Sequence, residues 1–168
     1  MRAEAVRAGR LELVPLGVEH AGEMAGVLSD PALHRFTGGA PLDEAGLRAR
    51  YERLVAGSPD PEVSWCNWVL RVREGRRPLV GTVQATVTGA GAVAAIAWVV
   101  GTPWQGRGFA SQAARGLVGL LERRGVGVVV AHIHPEHRAS AGVARAAGLT
   151  PTGEVADGEV VWRRTLGP

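Results

Sequence analysis

Hydrophobic and polar positions change period several times along this chain, and each change marks an element. Leu11, Leu13 and Val14 form a short strand ending at Pro15, and residues 18–29 have the spacing of a helix closed by Asp30-Pro31. Residues 42–56 predict a second helix: Pro41, Asp43 and Glu44 suit its N-terminus, and Gly57 with Pro59 and Pro61 stops it. Strands follow at 68–73, 79–88 and 93–100, joined by glycine-bearing turns as in an antiparallel meander. Ala110, Ala113, Ala114, Leu117, Val118 and Leu121 then repeat at helical spacing, and the apolar run 126–131 after Gly125 reads as a buried strand. A shorter helix at 140–147 ends at Gly148, and strands 152–156 and 160–166 flank Asp157-Gly158, a hairpin signal. The order β-α-α-β-β-β-α-β-α-β-β predicts an α+β fold, a mixed and mostly antiparallel sheet of about seven strands flanked by about four helices.

Length and composition narrow this picture. A chain of 168 residues, 46% hydrophobic, is expected to form one domain over 1–168 with its own core. All 19 basic residues are arginine, which excludes a lysine Schiff base, a lysine nucleophile and a phosphate-loop lysine. The charge of +3 and pI near 10.3 reflect arginine in place of lysine, not a dense patch, so no nucleic-acid partner is expected. Arg71, Arg73, Arg76 and Arg77 do cluster, around Gly75, where they are either a solvated hairpin tip or a contact for an acidic ligand. A single cysteine, Cys66, permits no internal disulfide. The N-terminus alternates charges without a signal-peptide core, so a cytoplasmic location is expected. Residues 78–106 carry no charge, a length that would admit a membrane helix; but Thr82, Gln84, Thr86 and Thr88 alternate with Val83, Ala85 and Val87, so two strands, and no membrane partner, are expected.

The segment 98–111 runs from an apolar strand through a glycine loop into an amphipathic helix. Glycines admit close approach to the backbone, and the orphan N–H groups and dipole of the helix favour an anion such as pyrophosphate. A nucleoside-triphosphate loop lacks its lysine here. A dinucleotide fingerprint lacks its third glycine and its place after the first strand of a βαβ unit. Coenzyme A remains.

Gln105-x-x-Gly108-x-Ala110 matches the Q/R-x-x-G-x-G/A signature of the GNAT N-acetyltransferases, and the sequence resembles that family, specifically its RimJ/RimL-like branch, along nearly its whole length. Leu11-Glu12-Leu13-Val14-Pro15-Leu16 looks like the branch's opening strand, and 135–149, from Pro135 through Ser140 to Gly148-Leu149, like its P-x-N-x-x-S…G-F/L segment. The resemblance implies acetyl-coenzyme A as co-substrate, no metal, a primary-amine acceptor (a protein N-terminal amine or a small amine), direct attack, and a possible homodimer. It implies that Gln105 and main-chain N–H groups from Gly106, Arg107, Gly108, Phe109, Ala110 and Ser111 hold the pyrophosphate, with Arg107 adding charge. Val99 and Val100 would lie beside pantetheine, in the gap between strands 93–100 and 126–133.

Transfer to an ammonium needs a base, oxyanion donors and a proton for the thiolate. The family's strand glutamate has no counterpart in 93–98, so His134 and Glu154 are the candidate bases. Ser140 occupies the family's serine position, where it donates a proton to the thiolate or merely caps the short helix. His137 stands where the branch has asparagine and would reach a pantetheine carbonyl. Trp65 and Trp68 either pack in the core or wall an acceptor cleft.

Two other classes compete. His132-Ile133-His134-Pro135-Glu136-His137 reads H-x-H-x-E-H, close to a hydrolytic zinc motif, although no histidine follows it. The missing strand acid also fits a non-catalytic module that binds acetyl-coenzyme A without turnover.

Overall fold

In a computed structural model that describes residues 1–167, the strands are β1 (Val6–Ala8), β2 (Leu11–Pro15), β3 (Ser64–Val72), β4 (Leu79–Thr88), β5 (Val93–Val100), β6 (Val128–Ile133), β7 (Thr150–Ala156) and β8 (Glu159–Thr165). The helices are α1 (Ala21–Val27), α2 (Glu44–Ala56), α3 (Phe109–Arg123) and α4 (Arg138–Ala146). One sheet runs β1-β2-β3-β4-β5-β6-β8-β7. Every pairing is antiparallel except β5 with β6, whose parallel connection is made by α3.

The α+β architecture, a mostly antiparallel sheet with four helices, is as expected, with one strand more than the seven predicted. The addition is β1, three residues folded back on β2 at Gly9, whose φ of +60° suits glycine. So short a strand leaves no period to read. At the other end β8, not β7, adjoins β6, and Val128 pairs with Thr165. Helix α1 is entered through a 3-10 turn at Val18–His20 in which His20 Nδ1 accepts the Gly17 N–H at 2.9 Å. In α2 the Asp43 carboxylate accepts the Gly46 N–H at 2.8 Å and fixes the start.

Helices α1 and α2 cover one sheet face, with Ala21, Met24, Leu47 and Tyr51 packed on Val69 and Leu79. Helices α3 and α4 cover the other, where Ala113, Ala114, Leu117 and Leu121 meet Leu13, Leu70, Val83 and Ala94. The uncharged run is the β4–β5 hairpin, and among the described residues no helix is long and apolar enough to cross a membrane. The arginine cluster is the β3–β4 hairpin tip. Arg71 donates to the Arg77 carbonyl at 3.0 Å, Arg73 to the Gly9 carbonyl at 2.9 Å, and Arg77 pairs with Glu12 at 3.3 Å.

Strand β5 is both splayed and closely backed. It pairs with β6 only at Val93↔Val128, Ala94↔Val129 and Ala95↔Val130, after which the strands separate. Its far end is backed by Gly81 of β4. A methyl group there would run into the Val99 carbonyl oxygen and lie 3.0 Å from Val100 Cα. Backbone cannot swing aside like a side-chain tip, so Gly81→Ala is expected to destabilise the protein by about 2–3 kcal/mol, read as a lower urea midpoint at unchanged slope.

Candidate active site

The separation of β5 from β6 opens a cleft of about 590 Å³ lined by Val99, Val100, Gln105, Gly106, Gly108–Ser111, His132, His134, His137 and Ser140. Beyond Ala95 the β6-facing backbone edge of β5 has no strand partner among the described residues, so an extended amide-bearing arm can pair along it. At the cleft mouth, α3 begins at Gly108, which is left-handed with φ +79° and gives the helix no side-chain cap. The first intrahelical bond runs from Gln112 N to Gly108 O at 3.0 Å, leaving the N–H groups of Phe109, Ala110 and Ser111 ahead of it without helical acceptors. That is an anion cradle.

The loop is held from three sides. Gln105 Nε2 donates to the Val100 carbonyl at 3.0 Å and fastens the loop to the end of β5. Arg10 donates to the Arg107 carbonyl and lies over the Phe109 ring, 4.6 Å from its centroid. Its own N–H donates to Gln112 Oε1 at 2.8 Å. The Arg107 side chain is exposed and does not line the cleft, so the guanidinium that braces the loop is that of Arg10, from the β1–β2 turn.

Deeper in, His137 is the N-cap of α4: its Nδ1 accepts the Ser140 N–H at 3.4 Å. Ser140 is therefore the third residue of the helix and not its cap. Its Oγ lies 3.0 Å from His137 Nε2. A ring nitrogen that accepts carries no proton, so neutral His137 holds its proton on Nε2 and donates it to Ser140 Oγ. The Ser140 hydrogen is thereby left to point elsewhere. Burial, and then the charge of His134, hold the His137 pKa below its ordinary value. Phe36, from the turn after α1, stacks on the His137 ring at 4.5 Å and lies 5.0 Å from that of His134.

A second cleft, about 530 Å³, opens on the α1/α2 side of the sheet. Its floor is a row in register, Asn67–Gln84–Ala97, beside Thr82, Trp68 and Val99; its walls are α2 and the 33–42 segment. Leu33, Thr37, Ala97, Trp98 and Val99 line both clefts, so the two meet across the end of β5.

Other sequence candidates lie apart. Glu154 is on the outermost strand, paired with Arg163 at 2.8 Å, and lines neither cleft. Trp65 is 37% exposed and also lines neither; Trp68 borders the second cleft, but its side chain is fully buried in the core on the α3/α4 face, with the indole N–H donating to the Glu4 carbonyl at 2.8 Å, so it offers no wall to an acceptor. Among the described residues no three His, Cys, Asp or Glu side chains converge as a metal-binding group. Arg10, Phe36 and His34 are not signalled by any local pattern, because each reaches the site from an element distant in sequence.

Known proteins agree with this architecture. The ribosomal L7/L12 alpha-N-protein acetyltransferase RimL, solved with coenzyme A, superposes with a TM-score of 0.82 at 18% identity, over 97% of this chain and 98% of its own. The Salmonella typhimurium acetyl transferase that modifies the N-terminal serine of L7/L12 gives 0.80 at 18%, over 98% and 100%. The microcin self immunity acetyltransferase MccE, solved with acetyl-CoA and AMP, gives 0.77 at 14%, over 94% and 93%. At such identities these likenesses speak for the fold. No curated protein matches the sequence. A family model described as the acetyltransferase (GNAT) domain matches residues 10–150, and with the splayed strand pair and its glycine loop this makes the chain a member of the GNAT acetyltransferases.

Proposed function

We propose that this acetyltransferase moves an acetyl group from acetyl-coenzyme A to a primary amine by direct attack. The observation that carries the reading is the meeting of the two clefts at the end of β5, one with an uncapped helix start at its mouth and the other open to a second substrate. Pyrophosphate would rest on the main-chain N–H groups from Gly106 to Ser111, and the pantetheine amides would pair along Val99 and Val100. Ser140, with its hydroxyl orientation set by His137, would protonate the departing thiolate. The acceptor is a peptide N-terminal amine or a small amine. The neighbours described as modifying ribosomal proteins favour the first.

Calorimetric titration of acetyl-coenzyme A into the protein, followed by thiol release with serine-initiated peptides and alkylamines, tests this. Saturable binding with amine-dependent release of coenzyme A is expected. Binding without turnover of any amine would leave a non-catalytic module; failure to bind would remove the reading altogether.

A further inference from the structure

Four imidazoles border the two clefts, those of His34, His132, His134 and His137, and hydrogen bonds divide three of them. His134 Nδ1 accepts the Glu136 N–H at 3.1 Å, and His137 Nδ1 accepts that of Ser140 at 3.4 Å. His134, when neutral, therefore carries its proton on Nε2 at the coenzyme cleft, and His137 donates its Nε2–H to Ser140 Oγ. His34 is arranged the other way. Its Nδ1 lies 3.1 Å from the Gly38 carbonyl oxygen, which can only accept, so Nδ1 carries the proton and Nε2 keeps a lone pair. The turn is closed a second time by Gly38 N donating to the His34 carbonyl at 2.9 Å. Gly38 and Gly39, at φ +75° and +79°, make that return possible.

His34 lines the acceptor cleft, between Leu33 and Thr37, which line both. No Asp or Glu is among the described residues lining that cleft. The other titratable groups facing it are Arg50 and Tyr51, whose phenol burial pushes up to about 12 and so keeps protonated. Arg35, next in the chain, turns away onto the Phe36 ring at 5.1 Å, and His134 and His137 stand against the same ring.

We propose that His34 Nε2 is the general base for the acceptor amine, an assignment that rests on the acyl-transfer reading above. An ammonium N–H bond breaks as a bond to Nε2 forms, giving imidazolium. The freed lone pair forms the C–N bond to the thioester carbonyl carbon, and the C–S pair leaves on sulfur, which takes the Ser140 hydroxyl proton. The second nitrogen proton passes to water as the amide forms; Ser140 is reprotonated from water, and His34 returns its proton there. The leaving-group side thus has imidazoles that donate, and the attacking side one that accepts.

His34→Gln keeps a side-chain amide to bond Gly38 and removes the base. For a serine-initiated peptide, about a tenth of whose α-amine is free at pH 7, kcat/KM is expected to fall about tenfold. For an alkylamine, far more protonated at that pH, the fall should reach about a hundredfold. The peptide's loss should close above about pH 9 and the alkylamine's only above about pH 10.5, and acetyl-coenzyme A affinity should not change. His34→Ala should regain activity with added imidazole, which a merely structural role would not produce. A His34→Gln enzyme with the wild-type pH profile on both amines would overturn the assignment and leave the acyl-transfer reading intact. A wild-type protein that turns over no amine would overturn both.

Discussion

Gly108→Glu is expected to leave the protein folded and to weaken acetyl-coenzyme A binding by more than about a hundredfold. Space is not the obstacle: a Cβ at Gly108 would meet only Arg10 Nη2 and Gln112 Nε2, both at 3.8 Å. Conformation is a partial one, because φ is +79° and a left-handed non-glycine residue costs about 1–2 kcal/mol. Charge decides the result. A carboxylate about 5 Å from one phosphate charge costs about 3 kcal/mol at an effective dielectric of about 20, which is two orders of magnitude in affinity. Arg10 would hold the new carboxylate at the loop instead of relieving it. Gly108→Asn separates the effects, since asparagine tolerates the left-handed region and carries no charge, and it should lose under about tenfold. Calorimetry on both variants, with circular dichroism as the folding check, makes the comparison. A glutamate variant that binds like the parent would mean that pyrophosphate does not rest on this loop.

That the loop could be found in the sequence at all has a local cause. Strands β4 and β5 run from 79 to 88 and from 93 to 100, as the alternation of Thr82, Gln84 and Thr86 with valine and alanine predicts, because a half-buried hairpin writes its period into the chain. The start of α3 is equally local, set by Gly108 and the apolar stripe behind it. Partners brought in from afar are not legible. Arg10 reaches Arg107 across the sheet edge, Phe36 reaches His137 over the coenzyme cleft, and β8 inserts between β6 and β7. Glu154 shows the cost of working from strand position alone: with β7 outermost, its carboxylate faces Arg163 and solvent, not the reacting centre. Nor could spacing reveal which histidine nitrogens hold protons, since Glu136, Ser140 and Gly38 settle that through their backbones.

Ser140→Ala should lower kcat about a hundredfold while acetyl-coenzyme A affinity and thermal stability stay near the parent values. Stability is spared because the cap of α4 is the His137 ring accepting the Ser140 N–H, a bond alanine keeps. Rate is lost because the thiolate then leaves without its proton donor, and a relatively stable anion puts the loss at the low end of acid–base effects, about a hundredfold. An alanine enzyme of unchanged kcat would remove Ser140 from the chemistry. His137 adds a pH signature that its replacement can isolate. Burial and the charge of His134 depress its pKa in the folded protein below 6.5, so the folded state resists protonation more than the unfolded chain does. The stabilisation from the neutral ring is present above 6.5 and is lost as pH falls through the depressed value, where a protonated Nδ1 can no longer accept the Ser140 N–H. Asparagine caps the helix through an oxygen that does not titrate. The His137→Asn variant should therefore lose less stability than the parent when urea unfolding is compared between about pH 7.5 and about pH 5. An equal acid-side loss in both proteins would mean that some other group governs it.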